Sequence, residues 1–208
     1  MQPLEMILRE SAKRHKHLCP RQVLGARMGI LAGEILKLDL PRADKKLLVI
    51  AETDGCTVDG LIAATGCHVG GRTLRILDFG KVAATFVDSY TEGAIRIAPN
   101  DKARTLSFAY AANARNRWEA MLLGYQVMPV EELFCVQYVH LNLSLEEIVS
   151  KLSKKAQCEI CHEEIINGRE VTHDGSVLCR SCAGEDYYEV LDVSRSLVSS
   201  APHRLCCH

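Results

Sequence analysis

Apolar residues at the start of the chain recur at helical spacing. Leu4, Ile7, Leu8 and Ala12 fall on one face, because side chains three and four apart stack on the same side of a helix. A second helix is expected to begin at Pro20, whose fixed φ suits a first turn where no N–H is needed. Its buried stripe is Leu24, Met28, Leu31 and Ile35, with Gly25, Gly29 and Gly33 repeating along it. Glycine weakens a helix, so this series points to another backbone packed closely against it.

The pattern changes at Leu47, where a run through Ala51 reads as a buried strand. Val58, Leu61 and Ile62 then suggest a short helix ended by Gly66. Further strands are expected over 73–78, 82–88 and 94–97, where β-branched and polar residues alternate. Asn100 or Asp101 is placed to cap a long helix running through Phe108, Ala112, Arg115 and Glu119 to about Leu123, with Gly124 as its stop. Residues 133–141 return to strand composition, and Ser144 with Glu147 makes a capping box for a last helix through Leu152. The polar stretch Ser153-Lys154-Lys155 is a linker that divides a core domain, 1–153, from a small second domain, 154–208. The expected class is α+β, with a mixed sheet and packed helices in the core domain.

Composition narrows the functional classes. A hydrophobic fraction of 48% beside 25% charged residues describes a chain that buries a core. The net charge of −1 gives no long-range attraction to phosphate backbones, so nucleic acid is not the expected partner. The longest apolar runs fall well short of the roughly 20 residues a membrane span needs. The opening residues, from Met1 through Met6, lack the basic segment and apolar stretch of a secretory signal, which points to the cytoplasm.

Ten cysteines are many for a reducing compartment, but four of them form two Cys-x-x-Cys units. Cys158 and Cys161 are separated from Cys179 and Cys182 by seventeen residues, the spacing by which two knuckles bring four sulfurs around one zinc. Residues 169–171 and 176–178 are expected to pair around Asp174-Gly175, and Cys179 and Cys182 to open a helix through Tyr187. Knuckle, hairpin and helix in that order resemble a treble-clef zinc finger. Four thiolates leave no open position, so this zinc reads as structural. Glu185, Asp186 and Glu189 on the helix would repel phosphates.

The remaining candidate chemistry lies in two stretches. One holds His15, His17 and Cys19; the other holds Cys56, Asp59, Cys67 and His68. Histidine with cysteine suits either a soft metal or a thiolate–imidazolium nucleophile, while the cysteines fit equally well as small core residues. His15-Lys16-His17-Leu18-Cys19-Pro20, Leu24-Gly25-x-Arg27-Met28-Gly29, Glu52-x-Asp54-Gly55-Cys56-x-Val58-Asp59, Thr65-Gly66-Cys67 and Asp78-x-Gly80-Lys81-x-Ala83-x-Thr85-Phe86 together resemble the FmdE family of formylmethanofuran dehydrogenase proteins. Lys16 and Arg21 stand where that family usually has glycine, and Gly70-Gly71-Arg72 replaces a Gly-Lys-Gly-like stretch. The resemblance implies an α+β core, commonly dimeric, sometimes followed by a treble-clef finger, and association with a molybdenum or tungsten enzyme.

Three readings of function follow. In the first, His17, Cys19 and Cys56 converge on a second metal or a molybdenum-related species, as in an accessory protein. In the second, Cys19 or Cys56 is a nucleophile activated by His15 or His17, with Asp59 orienting the imidazole and Lys81 stabilising an anion. In the third, the finger is a contact surface for a partner protein. Trp118 and Tyr110 read as packing residues, Cys135 as core, and His140, His162 and His173 as surface histidines. The tail His203-Arg204-Leu205-Cys206-Cys207-His208 is expected to be tied down, with Cys206 or His208 supplying one ligand to the core site.

Overall fold

The computed structural model describes residues 2–15, 17–142 and 154–188. The chain divides into two compact units, Met1–Leu145 and Glu146–His208. The capping box at Ser144 and Glu147 and the tail ligands Cys206 and His208 lie outside the described residues.

Unit 1 runs α1 (Leu4–His15), α2 (Pro20–Leu36), β1 (Leu47–Ala51), α3 (Cys56–Thr65), β2 (Leu74–Ile76), β3 (Ala84–Asp88), β4 (Ala94–Pro99), α4 (Ala103–Leu106), α5 (Arg117–Val127), α6 (Val130–Leu133) and β5 (Phe134–Val139). The five strands lie in the order β2-β1-β3-β4-β5. β1 and β2 are parallel and the other neighbours antiparallel, so the sheet is mixed. Val49 sits opposite Phe86, and Phe86 opposite Ile95. With Ala51, Ala84 and Ile97 they join Ile7, Val23, Met28 and Leu61 of the helices in one core. Leu48, Ile50 and Val87 alternate onto the other face of the sheet and are buried too. β1 therefore reads as an unbroken apolar run rather than an alternation.

The helical glycines have a local use. A Cβ on Gly25 would stand 2.1 Å from the Thr57 carbonyl oxygen, and one on Gly60 would stand 2.2 Å from that of Gln22. A Cβ on Gly29 would meet Ala64 Cβ at 2.5 Å. The backbone expected against α2 is thus α3 of the same unit, and the two helices touch backbone to backbone at Gly25 and Gly60 and through small side chains at Gly29.

The long helix expected over 100–123 is instead two helices, α4 and α5, with turns between them. Asn116 begins α5 by accepting the Glu119 N–H at 2.9 Å, a cap that the repeat of apolar positions hid. Gly124 lies inside α5 rather than ending it, because a Cβ there would come within 2.5 Å of the Ser107 carbonyl oxygen. α5 ends before Pro129, which drives Met128 to an extended ψ of 140°. Cys135 is also not core: Phe134 and Val136 take the inner face of β5, which leaves Cys135 exposed.

Unit 2 contains β6 (Lys155–Gln157), β7 (Glu164–Ile166), β8 (Val171–His173) and β9 (Ser176–Leu178) as two antiparallel pairs. Asp174 and Gly175 have φ of 50° and 85°, the double left-handed step of a tight hairpin. Cys158, Ile165 and Leu178 form a small core. The helix expected through Tyr187 is not among the described residues, which form turns beyond Cys179. Gly184 at φ 94° and the Glu185 N–H on the Arg180 carbonyl at 2.9 Å close the chain there, as a left-handed glycine stops a helix.

Candidate functional site

The close crossing of α2 and α3 sets their first residues side by side. Cys19 is the residue before α2 and Cys56 is the first residue of α3. Their side chains are hydrogen-bonded to each other. Cys19 is held in place from its own backbone: its N–H donates to Gln22 Oε1 at 2.7 Å, and Gln22 Nε2 donates to the Ser11 carbonyl and hydroxyl at 3.1 and 3.0 Å. Gln22 is fully buried, so this one side chain ties α1 to the start of α2. Burial pushes the Cys19 thiol up, the Cys56 thiol adds to the rise, and the Gln22 and Arg21 backbone amides oppose it.

Both thiols line a cavity of about 580 Å³ whose wall includes Leu24, Val82, Met121 and Trp118. That size and composition match sites for small molecules. Tyr125, which also lines it, is held by Arg27, which donates from Nη1 to the Tyr125 and Met128 carbonyls at 2.8 and 2.6 Å. These are carbonyls at the end of α5 that the helix itself leaves unpaired. Trp118 is 48% exposed; it forms cavity wall rather than core packing.

The motifs between Glu52 and Phe86 build the neighbouring support. Glu52 follows β1 and accepts two hydrogen bonds from Arg96, Nε to Oε1 at 2.5 Å and Nη2 to Oε2 at 2.7 Å. The Arg96 guanidinium beside it holds the Glu52 carboxyl below the usual carboxylate range. The Glu52 carbonyl receives the Phe79 and Lys81 N–H groups at 2.9 and 3.1 Å. The loop over 78–81 is thereby fastened to the end of β1, with Val82 carried on into the cavity wall.

The other candidates separate. His17 is exposed two residues ahead of Cys19, Asp59 is half-buried on α3, and Lys81 is exposed. Among the described residues none of the three lines the cavity. His15 is the last residue of α1, and its side chain lies outside the described set. Cys67 is core, its Sγ donating to the Leu47 carbonyl at 3.4 Å. His68 Nδ1 accepts the Gly71 N–H at 2.9 Å. His140, His162 and His173 are at the surface.

In unit 2 the four paired cysteines meet. The Sγ atoms of Cys158, Cys161, Cys179 and Cys182 all lie within 4.8 Å of one another. Sulfurs bonded to one tetrahedral metal at about 2.3 Å lie about 3.8 Å apart, and Cys161 Sγ lies 3.8 Å from Cys179 Sγ. Backbone N–H groups led by that of Cys161 pull the Cys158 thiol down to about 6, while Cys179 pushes the Cys182 thiol up to about 12. The cluster resists full ionisation on its own, and a divalent cation would relieve it. The donor set fits a metal.

The model of the family described as "FmdE, Molybdenum formylmethanofuran dehydrogenase operon" matches residues 14–135. The chain belongs to the FmdE family. The family match contains Cys19, Cys56 and every lining residue of the cavity, and stops short of the four-cysteine cluster. A tungsten formylmethanofuran dehydrogenase FmdE-like protein from Syntrophus aciditrophicus has a similar fold, with a TM-score of 0.59 at 21% identity over 89% of this chain and 95% of that one. A probable S-adenosyl-L-methionine-binding protein of Archaeoglobus fulgidus is 29% identical over 94% of this chain. The chain spans 56% of that relative's length. No helix among the described residues of this FmdE-family chain is long and apolar enough to cross a membrane.

Gln22, Arg27 and Arg96 carry the geometry of the site, and sequence reasoning did not single them out for these roles. Gln22 had a signal, since it stands three residues after Cys19 as the last member of a capping box does. Arg27 and Arg96 had none, because their partners at 125–128 and at 52 are remote in sequence.

Proposed function

We propose that this chain is a metal- or cofactor-binding accessory protein linked to formylmethanofuran dehydrogenase function, with its working site at Cys19 and Cys56. The observation that carries the reading is the meeting of these thiols, from the starts of two helices, in the wall of one ligand-sized cavity. Two adjacent thiols offer a soft donor pair. A soft divalent metal would displace both thiol protons and remove the penalty that burial places on charge at Cys19. Burial raises the Cys19 thiol, which makes it a poor free nucleophile, and a bound metal would restore its thiolate.

The four cysteines of unit 2 hold zinc on this reading, structurally, in a treble-clef-like finger. Both sets of thiols need reducing conditions, consistent with the cytoplasm. Partners are a second copy of the chain and a molybdenum or tungsten enzyme. Elemental analysis of the full chain and of the Cys19→Ser/Cys56→Ser double variant tests the core reading. Loss of one metal per chain while a second is retained supports it; identical metal content rejects it.

The A. fulgidus relative's name brings a second occupant into view, S-adenosylmethionine. The observation in its favour is the half-exposed Trp118 ring on the cavity wall, a surface on which an adenine could stack. Equilibrium dialysis with labelled S-adenosylmethionine checks it, and no retention at millimolar ligand rejects it.

A further inference from the structure

The lining of the thiol cavity carries charge as well as sulfur. Arg21 and Arg104 line it, against the single carboxylate of Asp101. Arg21 lies in the first turn of the 17-residue helix α2, where the helix dipole already favours negative charge. Arg104 reaches from α4 to the Tyr125 hydroxyl, and burial raises that hydroxyl's pKa while Arg104 and then Arg117 pull it back. Two guanidinium groups thus line one cavity. The same cavity is lined by Leu24, Val82, Met121 and the exposed Trp118 ring, an apolar surface a ligand can cover.

We propose that this cavity binds an anionic small molecule with an apolar, ring-sized body, its acid group held by Arg21 and Arg104 and its body laid against Trp118 and Met121. The inference rests on reading the cavity as the working site and adds the class of ligand. Guanidinium pairs recognise carboxylate, sulfonate and phosphate oxygens through charge-assisted, often bidentate hydrogen bonds. The thiols then stand within the same enclosure, so the bound molecule or a metal it carries reaches Cys19 and Cys56. Asp101, the one carboxylate of the lining, is outnumbered by the two arginines, so the balance at the rim favours an anion over a cation.

Two fluorescent probes of matched shape test this on the full chain. 8-Anilinonaphthalene-1-sulfonate has an apolar body and one acid group; N-phenyl-1-naphthylamine has the same body without the acid. Trp118 is the only tryptophan in the sequence, so energy transfer from it reports binding in its neighbourhood, and the arginine variant assigns that binding to the cavity. The expected result is transfer from Trp118 to the sulfonate at one probe per chain, with affinity falling about tenfold in Arg21→Gln/Arg104→Gln. Both arginines are exposed, so the variant should keep its fold, which circular dichroism checks. The neutral probe should bind the variant as it binds the parent. Absence of transfer, an unchanged sulfonate affinity in the variant, or an equal loss for both probes would overturn the proposal. Repeating the titration in Cys19→Ser separates the two ideas. Sulfonate binding that persists without core metal leaves the ligand class standing even where metal binding fails.

Discussion

In unit 2 four sulfurs come together from two tight turns within one short segment, whereas in unit 1 two sulfurs meet because two whole helices cross through glycine. The first arrangement is closed: its four sulfurs would complete a tetrahedron around one metal and leave no place for a substrate. The second is open, since its thiols face a cavity of about 580 Å³. Metal in the first would replace a hydrophobic core too small to hold the unit by itself. In the second the core already exists, built from Ile7, Met28, Leu61 and Phe86, so a metal there would not be needed to hold the fold. On the proposed reading the same side chain stabilises one unit and equips the other.

The sharpest way to break this contrast is to make the same substitution in both units. Cys161→Ser should abolish metal binding in unit 2 and with it the protection of its hairpins, while unit 1 melts as before. Hydrogen exchange on the full chain reads both at once; surviving protection of Val171–His173 would mean that the metal does not hold the fold.

Next in size is Gly60→Ala, whose Cβ would stand 2.2 Å from the Gln22 carbonyl oxygen. Pushing α2 and α3 apart should cost about 3 kcal/mol in a urea titration. It should also part Cys19 from Cys56, seen as faster alkylation of Cys19. Unchanged stability would show that the glycine crossing is not what sets the thiols.

Glu52→Gln should be milder, about 2 kcal/mol, because its one amide oxygen can still accept from Arg96 while the charge and the second accepted bond are lost. Glu52's pKa is lower folded than unfolded. Its stabilisation is therefore complete above the unfolded value and is lost as pH falls through the folded one. The variant's stability should lose that part of its acid dependence. A parent and variant with parallel acid profiles would contradict the ion pair's role.

Smallest is Cys19→Ser, a near-isosteric change at a buried site, which should cost less than about 1.5 kcal/mol yet remove the core metal. A large loss of stability would instead place Cys19 among the structural residues and erase the contrast.

How legible these two sites are in the sequence follows the same division. Cys158, Cys161, Cys179 and Cys182 announce themselves because a knuckle is local: spacing alone dictates that the sulfurs of each pair converge. Strand β1, the helices starting at Leu4 and Pro20, and the end of α3 at Gly66 were equally readable from local pattern and cap. The meeting of Cys19 with Cys56 was suggested by motif but fixed by Gly25 and Gly60, whose contacts are long-range. The break before α5 was hidden because the stretch over 109–114 is rich in alanine, and the cap at Asn116 competes with that helix former only once Ser107 packs on Gly124. Cys135 was misplaced because an apolar edge strand and a central strand read alike until the sheet order is known.

The central claim is that the unit 1 thiols hold a metal of their own. Anomalous diffraction at metal absorption edges, on crystals of the full chain purified under reducing conditions, tests it most directly. The expected map has one peak among Cys158, Cys161, Cys179 and Cys182 and a second between Cys19 and Cys56. A single peak, at the four-cysteine cluster alone, would contradict the claim.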